Sequence, residues 1–122
     1  MDTIESRKLA AREGFDLTVT MHPDYDSTPG DADCYTEADH EAFNRGAWGY
    51  VGLMVTASRH GVELGTASLW GMEYGSLPGV AGYVDPIDAD DAHGAETVAD
   101  LESEAIAEAR ATLSRLCDGG AP

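Results

Sequence analysis

Two β-rich runs, Trp48 to Arg59 and Val62 to Trp70, are separated only by His60 and Gly61. A two-residue connection ending in glycine turns the chain straight back, so the middle of the sequence predicts a β-hairpin. Val51, Leu53, Val55 and Ala57 alternate onto one face, and Val62 and Leu64 open the returning strand. The phase then breaks, because Leu69 and Trp70 both suit burial. Either a bulge near Gly65 or burial on both faces accounts for that.

Other segments are placed around this hairpin. Phe15, Leu17, Val19 and Met21 alternate strictly and predict a third strand, ended by Pro23. Residues Thr3 to Arg12 read as a short helix capped by Thr3, with Ile4, Leu9 and Ala10 inward and Gly14 as its stop. Thr36 caps a short acidic helix, Glu37–Arg45, with Asp39 where a capping-box acid sits and Gly46 closing it. The strongest helix runs from Glu96 to Cys117. Val98, Leu101, Ala105, Ala109, Thr112 or Leu113, and Leu116 recur at helical spacing, and Gly119-Gly120 follows as a stop. Asp24–Tyr35 and Glu73–Gly94 are loops by composition. The expected fold is one α+β domain over residues 1–122. It has a small antiparallel sheet of three strands, built on the central hairpin, with two or three helices packed on one face.

Charge limits what such a domain does. Between His60 and Ala109 there are eleven acidic side chains and no lysine or arginine. Over the whole chain 23 acids face 7 bases, a formal net charge of -16. Direct binding to nucleic acid or to an anionic membrane needs clustered bases and is not expected. No apolar run is long enough to span a bilayer, and the N-terminus shows no basic segment leading into an apolar one, so a cytoplasmic protein is expected. Cys34 and Cys117 lie far apart and read as a reduced pair.

The side chains that carry chemistry form no recognisable set. His22, His40, His60 and His93 have no zinc-ligand spacing. Asp24-Tyr-Asp26 and Asp88-Ala-Asp90-Asp91 lack the glycine and glutamate of a calcium loop. There is no nucleophile elbow and no phosphate loop. The expectation is a protein without catalytic residues, cofactor or metal. Trp48 and Trp70 read as core residues, with anchoring of a partner by Trp48, Tyr50, Trp70 or Tyr74 as the alternative.

The helical acids are more telling. Glu96, Asp100, Glu104 and Glu108 recur every four residues and form one stripe, about 6 Å apart along the axis. Like charges at that spacing destabilise a helix, and no base stands at i+4 to offset the first three. Asp88, Asp90, Asp91, Asp100, Glu104 and Glu108 are therefore one candidate partner-binding set. Asp24, Asp26, Asp31, Asp33, Glu37 and Glu41 form a second acidic patch that contains no base.

The run Trp48-Gly-Tyr-Val-Gly-Leu-Met-Val-Thr-Ala-Ser-Arg-His-Gly-Val-Glu-Leu-Gly-Thr-Ala-Ser-Leu-Trp-Gly-Met-Glu and the later Ala105-Ile-Ala-Glu-Ala-Arg-Ala-Thr-Leu113 carry a resemblance. Over Trp48–Glu73 and Asp100–Leu116 the chain resembles short acidic proteins of unassigned function from phages and prophages of actinobacteria. The resemblance implies a setting in the host cytoplasm, among inhibitors of host defence of the anti-CRISPR and anti-restriction kind. The expected function is acidic mimicry of nucleic acid, directed at the groove of a basic nucleic-acid-binding host protein. Two other readings stand beside it. One is a halophile-adapted acidic domain. The other is a small oligomeric scaffold, such as a homodimer, pairing through a strand edge near Phe15–Met21.

Overall fold

A computed structural model describes residues 3–30, 34–80, 82–88 and 91–119. The elements follow as β1 (Glu5–Arg12), β2 (Phe15–Pro23), α1 (Glu37–Arg45), β3 (Trp48–Arg59), β4 (Val62–Gly75) and α2 (Ala92–Gly119). The four strands form one antiparallel sheet in the order β1-β2-β3-β4. The fold is α+β, with four strands where the sequence suggested three.

The extra strand is β1, which replaces the helix expected over Thr3–Arg12. That segment has too few inward positions to hold a helix on the core: Ile4 and Ala10 are exposed, and Leu9 alone packs against the apolar cluster. Pairing with β2 satisfies its backbone instead, with Leu9 opposite Leu17 and Arg7 opposite Val19. Glu13 (φ 55°) and Gly14 (φ 84°) form the two-residue left-handed turn of a hairpin, as do His60 (φ 53°) and Gly61 (φ 78°) between β3 and β4. Gly14 is thus a turn residue and not a helix stop. Because β1 pairs along β2, the Phe15–Met21 segment lies inside the sheet and presents no free edge for a second copy.

The sheet has two unlike faces. On one, successive rungs read Leu9-Leu17-Ala57-Gly65, Arg7-Val19-Val55-Ala67 and Glu5-Met21-Leu53-Leu69 across the four strands. Helix α2 covers this face with Val98, Leu101, Ala105, Ile106 and Ala109, all buried. Ile87, from the loop before α2, is buried in the same core. Contact is close because α2 presents alanines to a glycine: a Cβ on Gly65 would collide with the Ala105 carbonyl and the Ala109 amide. A bulge at Leu64 puts both Leu64 and Gly65 inward, which explains the lost alternation there.

The other face has the rungs Ser6-Thr20-Met54-Ser68 and Lys8-Thr18-Thr56-Thr66. At one end of it, strand alternation places Trp48 and Tyr50, and there α1 packs. Ala42, Trp48 and Leu77 form a second buried cluster, with Tyr35, Phe43 and Val84 against it. The two helices therefore sit on opposite faces, not together on one. Helix α1 carries the expected capping box: Thr36 Oγ1 accepts from the Asp39 amide at 3.1 Å and Asp39 Oδ2 from the Thr36 amide at 2.9 Å. The Trp48 indole donates to the Asp39 carbonyl at 2.9 Å, fixing helix to strand. Gly75 and Val84 exchange backbone hydrogen bonds, so the expected 73–94 loop is shortened at both ends and spans 76–91.

Candidate functional site

Glu96, Asp100, Glu104 and Glu108 all lie exposed on α2, off its buried stripe. None of them has an ion-pair partner among the described residues. Arg110, the next base along the helix, bonds Glu13 instead, and Arg12 reaches the same carboxylate as well as Ser103 Oγ. Arg59 donates to the Gly14 carbonyl at 3.1 Å and lies 4.4 Å over the Phe15 ring. Three of the seven bases are thus gathered around the β1–β2 turn, leaving the row without neutralisation. Asp100 and Glu104 flank a shallow groove against β4 that also includes Ser68, Leu69, Thr97 and Leu101.

The remaining expected site residues are scattered in role. Asp91 caps α2: its Oδ1 accepts from the Gly94 amide at 2.9 Å and its carbonyl from the Ala95 amide at 2.8 Å. Asp24 ties the end of β2 to β4. Its carboxylate accepts from Ser27 Oγ at 2.8 Å, the Gly71 amide at 2.9 Å and the Asp26 amide at 3.1 Å. The Ser27 hydroxyl bond and then the amide bonds hold the Asp24 pKa below the ordinary carboxylate value, outweighing the opposing effect of burial. Asp26, Glu37, Glu41 and Asp88 are exposed. Asp31, Asp33 and Asp90 lie outside the described residues. Asp24 and Asp91 therefore hold the fold together, while Asp100, Glu104 and Glu108 are shared surface.

A second feature was not legible from spacing. Between β3 and β4 the register slips, so that Trp70 and Gly71 together stand opposite Gly52. The Trp70 ring lies over Gly52, where any Cβ would strike it, and stays 38 % exposed. Trp70 is thus a surface residue, whereas Trp48 is core. Beside this bulge opens a cleft of about 270 Å³, lined by Tyr35, Trp70, Glu73, Pro86, Asp91 and His93 among others. Tyr50 donates its hydroxyl to Tyr35 Oη at 2.9 Å, and Tyr35 donates to Glu73 Oε2 at 2.6 Å. Burial first, then the bond to Glu73, raises the Tyr35 pKa far above that of a free phenol, so the hydroxyl remains a donor. Leu69 lines both this cleft and the groove beside Asp100 and Glu104.

Among the described residues no three His, Cys, Asp or Glu side chains converge as metal ligands, and no helix is long and apolar enough to cross a membrane. Cys34 and Cys117 are exposed thiols, not joined to one another. Comparison with protein families, with curated proteins and with solved structures finds no match to the chain.

Proposed function

We propose that the protein is a non-catalytic binder of a basic protein surface, competing there with nucleic acid. The observation that carries this reading is the α2 row. Glu96, Asp100, Glu104 and Glu108 repel one another along one exposed face, while the nearest arginines are tied up at Glu13. Such an arrangement destabilises the isolated domain and is relieved when an opposite charge arrives. The spacing is of the same order as that of phosphates along a strand, so a groove lined with Arg and Lys suits it. The class of partner we propose is a nucleic-acid-binding defence effector, whose groove carries such a lining of Arg and Lys.

A coat of acid adapted to salt fits less well. Such a coat surrounds a molecule, whereas on the second sheet face the rungs Ser6-Thr20-Met54-Ser68 and Lys8-Thr18-Thr56-Thr66 hold no acid, and Asp16 and Glu63 stand only at its hairpin end.

The test is competition for a nucleic-acid-binding defence complex, run with wild type and with the triple variant Asp100→Lys, Glu104→Lys, Glu108→Lys. Wild type should displace nucleic acid with an affinity that falls steeply with salt. The variant should lose at least about tenfold, the equivalent of about 1.4 kcal/mol. Its fold should persist, since these positions lie off the buried stripe of α2. Equal competition by both proteins would remove the helix row from the mechanism. Failure to displace nucleic acid from any such complex would end the reading.

A further inference from the structure

We infer that the cleft at the β4 bulge is a guanidinium pocket, which receives an arginine side chain of the basic partner. This inference rests on the proposed function for the partner's identity, but not for the chemistry of the pocket. Trp70 offers an exposed indole face held flat by Gly52, the kind of surface on which a planar cation stacks. Glu73 lines the same cleft. Tyr35 bonds its Oε2, which fixes the carboxylate and leaves Oε1 without a hydrogen-bond partner among the described residues. One oxygen is positioned and the other presented, with an aromatic face nearby.

The polar groups around the cleft select for a donor-rich guest. The Tyr35 hydroxyl already donates to Glu73, and the Gly71 amide already donates to Asp24. What remains to a ligand is the carboxylate oxygen of Glu73 and of Asp91, the Trp70 π surface and one imidazole, His93, in the field of a chain with net charge -16. A sugar needs donors and acceptors in balance and is poorly served. An ammonium is a strongly hydrated point charge that stacks less well, whereas a guanidinium is flat, weakly hydrated and carries five donors. Continuity supports the same guest: Leu69 joins this cleft to the groove flanked by Asp100 and Glu104. A basic segment lying along the α2 row therefore arrives at the pocket.

The experiment needs no partner. Acetyl-arginine methylamide is titrated into the protein while the two tryptophan indole resonances are followed by NMR. Acetyl-lysine methylamide and the neutral isostere acetyl-citrulline methylamide serve as comparisons. The Trp70 indole should shift saturably with the arginine compound, with Kd on the order of 1 mM. The lysine compound should bind several-fold more weakly and the citrulline compound not measurably. The buried Trp48 indole should stay in place throughout and report that the fold is intact. Glu73→Gln retains an acceptor for Tyr35 and should weaken arginine binding at least tenfold; Trp70→Ala should do the same, read from backbone amides around the bulge. Equal binding of the arginine and citrulline compounds, or an unaffected Glu73→Gln variant, overturns the pocket. If the pocket binds arginine while the α2 charge reversal leaves competition unchanged, the pocket stands and the row fails.

Discussion

At the scale of single residues, acids in this chain divide into those that hold it together and those that face outward, and sequence position alone does not separate them. Asp24 is of the first kind. Its folded pKa is depressed, so its contribution to stability is complete above the unfolded carboxylate value of about 3.9 and is lost as pH falls through the folded value. Asp24→Asn should therefore be less stable than wild type at neutral pH, with the gap closing below about pH 4. Urea midpoints measured from pH 7 down to pH 3 check this, and a gap independent of pH would refute it. Asp91 was equally hidden. It reads as one more acid in a run of acids, yet it stands three residues before Gly94, whose amide it caps. The following His93-Gly94 looks like loop chemistry and obscured the helix start. Glu73 and Tyr35, 38 positions apart, meet only through the folded chain, and no spacing rule would have joined them.

At the scale of elements, β2, α1, the central hairpin and the body of α2 were legible, because each carries its own periodicity or cap. The first strand was not. Thr3–Arg12 has a weak apolar pattern, and only long-range pairing with β2 decides its state. A signal was nonetheless present: Arg12-Glu13-Gly14-Phe15 repeats the pattern of Arg59-His60-Gly61-Val62, and both are hairpin turns. The β4 bulge at Trp70-Gly71 depends on the positive φ of Gly71 (76°), which the sequence around it does not signal. Helix and sheet approach most closely at Gly65. Gly65→Val places a side chain against backbone atoms of α2 that have no room to yield, and should cost about 3 kcal/mol or more. Gly49→Ala is the contrast, with open space around its Cβ and an expected change within about 1 kcal/mol. Chemical denaturation of both variants decides it, and equal effects would show that the contact is not tight in solution.

At the scale of the whole molecule, the charge is unevenly laid out. Arg7, Lys8 and Arg12 stand on the edge strand β1, where basic side chains discourage another chain from pairing with the open edge. Acid dominates α2 and the segments at the α1 end of the sheet. Because the exposed α2 row has no ion-pair partners among the described residues, screening should stabilise the fold: the melting temperature should rise between about 20 and 500 mM salt, as the Debye length falls from roughly 20 Å to 4 Å. A flat curve would mean that this repulsion is already dissipated in water.

The order β1-β2-β3-β4 has a consequence for how the chain is made. Every strand pairs with a neighbour in sequence, so the sheet closes through short loops and the single excursion of α1, with little entropy lost to long-range search. The helix that covers Leu17, Val19, Leu53 and Val55 comes only after all four strands. Until residues 92–119 are made, the apolar face of the sheet has no cover from α2. Apolar surface left bare in that way is where incompletely folded chains adhere to one another, so a chain cut before α2 should aggregate.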